Sequence, residues 1–235
     1  MGHRSRRGKG LAQARLQRRC RGRTPQQDHG KRTSAMSTSP LFNNKVLVVN
    51  QKAKLIEVTN QYSVSDADGN VIAHVNEVGQ SKAKKLLRVV TSVDQFLTHK
   101  LEITDATGAV VLALTRPAKV FKSTVIVGDA TGNELGRIVQ ENVFGKISFG
   151  LEVGGRKIGA IKAENWRAWD FAIEDADGRE VARVTKKFVG LAKAMFTTAD
   201  NYVVEIHDDL SQPLASLVVA AALSIDTALK QDSKL

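Results

Sequence analysis

The chain has one cysteine, Cys20, so no intramolecular disulfide and no multi-cysteine metal site can form. It has no apolar run of the roughly 20 residues a helix needs to cross a bilayer; the longest low-polarity stretch, Leu214 to Ile225, is 12 residues. Catalytic signatures are missing too. No HExxH and no Gly-x-Ser-x-Gly elbow occurs, and the glycine-rich pieces "GNELG" and "GGRKIG" lack the P-loop Lys-Ser/Thr and the dinucleotide fingerprint, which assigns their glycines to turns or strand packing. Beyond residue 35 there are three histidines, His74, His99 and His207. In "IHDD" strand alternation sends neighbouring side chains to opposite faces, so His207, Asp208 and Asp209 read as a surface turn rather than a metal triad. The expectation is a protein that is not an enzyme.

Acidic residues are scarce in one place only. The formal charge of +11 raises nucleic acid or an anionic membrane as partners, but residues 1–35 hold 11 Lys and Arg against one acid, Asp28, while the rest holds 24 basic and 23 acidic residues. The tail has no aromatic residue to stack on a base, so no nucleic-acid partner is expected for the folded domain. With few large apolar residues the tail reads as disordered. It is a basic interaction arm, a transit peptide, or an over-long start ahead of Met36. The domain division is therefore a tail, 1–35, and a folded domain, 36–235.

What the sequence has in plenty is one phrase, plainest as "DADG" at Asp66 to Gly69 and Asp175 to Gly178. Aligning five copies on their first turn residue puts apolar residues four and two positions earlier each time. They are Tyr62 and Val64 before Asp66, Leu101 and Ile103 before Asp105, Val125 and Val127 before Asp129, Ile147 and Phe149 before Leu151, and Phe171 and Ile173 before Asp175. A period of two is a strand with one buried face, and a second β-branched strand follows each copy. Strand, Asp-x-x-Gly, strand reads as a β-hairpin. Calcium is the rival reading: Asp66, Asp68, Asn70 and Glu77 fall at positions 1, 3, 5 and 12 of an EF-hand loop. That loop needs glycine sixth and flanking helices, whereas Gly69 is fourth and strands flank it. The turn is the better reading.

With "KVLVVNQKAKLIEV" before the series and "NYVVEIHDDL" after it, about twelve antiparallel strands result, and a sheet of that size must close or split. "PLASLVVAAALSIDTALKQD" reads as a helix apolar on nearly all sides, which suits the interior of a wide barrel. The expected fold is mainly β, a closed antiparallel barrel of about twelve strands around a central C-terminal helix.

The stretch Val181 to Leu210, "VARVTKKFVGLAKAMFTTADNYVVEIHDDL", followed by the apolar helix, resembles the C-terminal part of the phospholipid scramblases; Phe196, Thr197, Ala199, Asp200, Asn201 and Tyr202 match their "F-T-x-A-D-N-[FY]" pattern. "VLALTRPAKVF" and "GRIVQ" resemble further family segments. The resemblance implies the tubby-like fold shared with LURP-one-related proteins, a twelve-stranded barrel around a helix. It implies phospholipids or an anionic membrane surface as partner, a cytoplasmic location, peripheral at the membrane, and promotion of phospholipid movement between leaflets; the alternative is a soluble LURP-one or tubby-like binding or scaffold module without transport. In the family's proposed calcium segment Asp200 and Asp209 fall at the third and twelfth positions, but the acidic first ligand is replaced by Thr198, so no cofactor is expected beyond weakly held calcium. Among the basic residues, Lys82, Lys84, Lys85 and Arg88, with the pair Lys186 and Lys187, are candidates for lipid headgroups, solvated loops being the alternative. Trp166 and Trp169 are either interfacial anchors or core residues.

Overall fold

The computed structural model describes residues 39–51, 60–79, 98–118, 122–142, 147–165, 169–186 and 201–232. Twelve strands occupy most of them: β1 (Val46–Gln51), β2 (Asn60–Ser65), β3 (Val71–Val78), β4 (His99–Asp105), β5 (Val110–Arg116), β6 (Thr124–Asp129), β7 (Glu134–Gln140), β8 (Ser148–Val153), β9 (Arg156–Asn165), β10 (Asp170–Asp175), β11 (Glu180–Thr185) and β12 (Asn201–Ile206). Each pairs antiparallel with the next, and β1 pairs β12 through Val46 to Glu205 and Asn50 to Asn201, so the sheet closes. Closure removes both edges from a long meander. A short helix α1 (Pro40–Asn43) precedes β1, and α2 (Leu214–Asp232) follows β12.

Four hairpins turn on one device. At Asp66, Asp105, Asp129 and Asp175 the carbonyl oxygen accepts from the glycine N–H three residues on, and the backbone N–H donates to the carbonyl of the fourth residue on. The aspartate Oδ1 accepts from the N–H groups two and four residues later, at 2.8 to 3.0 Å. Gly69, Gly108, Gly132 and Gly178 take the left-handed φ this five-residue loop requires. The fourth hairpin differs from the sequence alignment. Its turn is Gly154-Gly155, both at positive φ, and Leu151 lies within β8 opposite Gly159. The equivalent of the first turn residue is Val153, two positions later, which leaves the buried phase unchanged and puts Phe149 and Leu151 in the core.

All five hairpins share a second device. The register shifts just before each turn, leaving Ile72, Val111, Leu135, Ile158 and Val181 as the extra residue on the second strand. Such bulges sharpen twist and curvature, which a sheet needs in order to close. They also break strict alternation, so Val111 and Leu112 are both buried, as are Val181 and Ala182.

Helix α2 threads the barrel, starting at the end where the hairpin turns lie. Every residue from Ala215 to Ile225 is buried. Its two buried serines are satisfied locally, Ser216 Oγ with Gln212 Oε1 at 2.6 Å and Ser224 Oγ donating to the Ala220 carbonyl at 2.7 Å. Wall and helix meet at Gly136, where a Cβ would lie 2.6 Å from the Glu152 carbonyl oxygen and 3.2 Å from Leu217 Cδ1. Leu41 of α1 is fully buried and packs into the same core.

Candidate functional site

An antiparallel meander sorts its connections between two ends. One end, the turn end, carries the five hairpin turns, the entry at Ser39 and the 207–213 connection into α2. The other, the loop end, receives the connections that begin after β1, β3, β5, β7, β9 and β11. Lys82, Lys84, Lys85 and Arg88 belong to the β3–β4 connection and Lys187 to the β11–β12 connection; all five lie outside the described residues, as do Asp200 and Trp166. The described strands that flank them, β3 with β4 and β11 with β12, have their Val78, His99, Thr185 and Asn201 ends at the loop end.

Lys186 is described. Its Nζ sits 4.3 Å from the centroid of Trp169, and its backbone N–H donates to the Trp169 carbonyl at 3.3 Å. The same indole stacks on Tyr202 (5.8 Å, 28°) and meets Phe171 edge-on (6.3 Å, 84°). Trp169 is half-buried, packs on the core, and holds φ at 54°, a conformation a bulky residue rarely adopts. It therefore joins the core to the rim, with Lys186 as the polar side of the contact.

The loop end also has polar groups on its inner wall. Glu77, His99 and Arg116 continue the inward phases of β3, β4 and β5. The His99 Nδ1 to Glu77 Oε1 distance is 2.8 Å, with side chains 11% and 5% exposed, and Arg116 stands opposite His99 in register. Further round, Gln140 accepts from the Ser123 N–H and donates to the Asn142 carbonyl, both at 3.0 Å. Glu77, the twelfth position of the EF-hand spacing, thus faces His99 rather than Asp66. The signal for this cluster was in the sequence: an acid, a histidine and an arginine each on the apolar phase of a strand.

Asp209 lies at the turn end. Its carboxylate accepts from Lys45 Nζ, and that ion pair holds it below the usual carboxylate range. Its neighbour Asp208 pairs instead with Arg179 Nε at 3.6 Å, so the two acids diverge. Asp209 lies beyond Ile206, at the turn end of β12, while Asp200, the other calcium candidate, lies outside the described residues. Beside Asp209 a cavity of about 240 Å³ has a floor of Phe42, Ile206, Leu210, Ala215 and Val219, with Lys45 and Asp208 among its polar lining.

The sequence compares with known proteins as follows. A sequence model of the family described as Scramblase matches residues 28–229. A phospholipid scramblase family protein of Schizosaccharomyces pombe is 24% identical over 182 residues, covering 70% of this chain and 47% of its own length. The altered inheritance rate of mitochondria protein 25 of Saccharomyces cerevisiae is 26% identical over 196 residues, covering 70% of this chain and 59% of its own length. The chain thus spans about half the length of these relatives. An X-ray structure of a protein from Arabidopsis thaliana superposes with a TM-score of 0.44 at 15% identity, covering 78% of this chain and 90% of that one.

Proposed function

Because the chain belongs to the scramblase family, we propose that it is a lipid-associated protein that binds phospholipid headgroups from outside the bilayer, a role that breaks no covalent bond. The family match over residues 28–229 carries this reading. The fold supports the peripheral mode. Leu217 and Val218 are 0% exposed and Leu223 is 2% exposed, so the most apolar segment is already used inside the barrel. Among the described residues no helix is long and apolar enough to cross a membrane.

The wall itself argues against crossing with strands. Membrane barrels face lipid with an apolar band; here the outward positions carry Lys100, Glu102, Arg137, Lys162, Arg183 and Glu205, and the apolar positions face the helix. Burying an outward Lys or Arg at the bilayer midplane costs about 2–4 kcal/mol each. Movement of lipid between leaflets, the further activity that the family resemblance implies, would require the barrel to release its helix. Lys186, with Lys82, Lys84, Lys85, Arg88 and Lys187, supplies headgroup contacts in this reading.

Sedimentation with vesicles tests it. The full chain is expected to pellet with phosphatidylserine-containing vesicles and less with phosphatidylcholine alone, the difference shrinking as salt rises. Negligible binding to both would leave a tubby-like module with no lipid role.

A further inference from the structure

Three neighbouring strands, β10, β11 and β12, bring an ammonium and an indole together at the rim of the barrel. On β11 the inward phase of Ala182 and Val184 continues to Lys186, a cation where apolar residues lead. The registers pair Asp170 with Thr185 and Thr185 with Val203; carried one residue further, they set Lys186 between Trp169 and Tyr202. The indole is held from several directions: Tyr202 stacks on it, Phe171 meets it edge-on, and the Trp169 carbonyl accepts from the Lys186 N–H. A φ of 54° is a conformation that packing must impose on so bulky a residue, and such positions gather at binding sites. Trp169 and Lys186 are half-buried, whereas Tyr202 and Phe171 are fully buried. The accessible pair can meet a ligand while the buried pair fixes its geometry. With Lys186 Nζ 4.3 Å from the ring centroid, the contact also displays what the indole accepts, which is an ammonium.

Resting on the lipid-association reading above, we infer that Trp169 and Lys186 form a site for the phosphocholine group, its trimethylammonium taking the place of Nζ on the indole while Nζ turns to the phosphate. The chemistry of the two ammonium groups drives the exchange. Nζ carries three N–H donors, which an aromatic face uses poorly and phosphate oxygens accept as charge-assisted hydrogen bonds. A trimethylammonium has no donor, so an aromatic face is its natural partner. After the exchange the indole still holds one cation, and Lys186 has gained an anion. The flexible four-carbon stem of lysine allows Nζ to turn while the Lys186 backbone stays bonded to Trp169. A phosphoethanolamine group, whose ammonium has donors of its own, gains less from the same exchange.

The rival is a purely structural contact in which Lys186 covers the edge of the core. The chain has two tryptophans, so Trp166→Phe in the full chain leaves Trp169 as the one indole N–H resonance. Titrating phosphocholine into this isotope-labelled protein is expected to shift that resonance saturably, with choline and inorganic phosphate each about tenfold weaker because each supplies one of the two contacts. Adding Lys186→Met should erase the advantage of phosphocholine over choline while the resonance still responds to both. A resonance that phosphocholine leaves unmoved, or an advantage that survives Lys186→Met, overturns the site. Sedimentation with phosphatidylcholine vesicles, in high salt to screen general attraction, identifies the source of the group. Pelleting that free phosphocholine competes away assigns the site to the lipid headgroup. A site that binds phosphocholine while the protein pellets with no vesicle serves the free ester, and the lipid reading falls. If the resonance is unmoved but the protein still pellets with phosphatidylserine-containing vesicles, the site falls and lipid association stands.

Discussion

At Asp129 one carboxylate closes a five-residue loop several times over. Oδ1 accepts from the Thr131 and Asn133 backbone N–H groups and from the Thr131 hydroxyl, and Oδ2 accepts from the Asn133 side chain. Burial pushes this carboxyl up, but the Thr131 and Asn133 hydrogen bonds outweigh it, and the net shift is downward from 3.8. Asp105 is shifted the same way, its largest cause the Thr107 hydroxyl. A group with a lowered folded pKa binds fewer protons when folded, so its stabilisation is present above its unfolded pKa and lost as pH falls through the folded value. Urea midpoints should therefore be flat from neutrality to about pH 5 and drop below pH 4. Asp129→Ala should lower stability by about 1 kcal/mol at neutral pH, and Asp129→Asn, which keeps an acceptor, by less. A variant as stable as the parent at pH 7 and equally sensitive to acid would show that these turns are held by their glycines alone.

The elements show how far the sequence reading reached. Hairpins and helix were legible because each rests on a local rule: alternation for the strands, Asp-x-x-Gly for four of the turns, an all-round apolar run for α2. The Gly154-Gly155 turn was misplaced by two residues because a shift of two preserves alternation and so leaves no trace in the pattern. The bulges at Ile72, Val111, Leu135, Ile158 and Val181 were invisible for a related reason: their extra residue is apolar, and an apolar residue fits either phase. The inner-wall trio Glu77, His99 and Arg116 was missed because pattern reading assigns polar residues outward, although each lies on the apolar phase of its strand; pairing then showed that His99 stands opposite Arg116 and lies against Glu77. The basic candidates were legible as charge but not as a place, and of them only Lys186, on the Trp169 indole, lies among the described residues. At this scale the helix–wall contact is decisive. Gly136→Ala should destabilise by roughly 1–3 kcal/mol through overpacking, and Leu217→Ala by about 2–5 kcal/mol through the cavity it leaves. Equal stability of both variants in urea would mean that α2 does not fill the barrel.

For the whole molecule, a closed wall with charge outside and an apolar helix inside fits a body that works at a lipid surface without entering it. The apolar segment of α2 is already committed to the core, and among the described residues the outward strand positions carry charge where a membrane barrel has an apolar band. The central claim is thus that the scramblase-family fold associates with lipid while its helix stays enclosed. It is tested most directly by reconstituting the full chain with vesicles containing a fluorescent phospholipid, adding dithionite, and confirming by sedimentation that the protein is bound. The account predicts that the protected inner-leaflet fluorescence persists as a plateau, with and without calcium. Loss of that plateau would contradict it, and would mean that the barrel opens and that α2 or the wall provides a path across the bilayer.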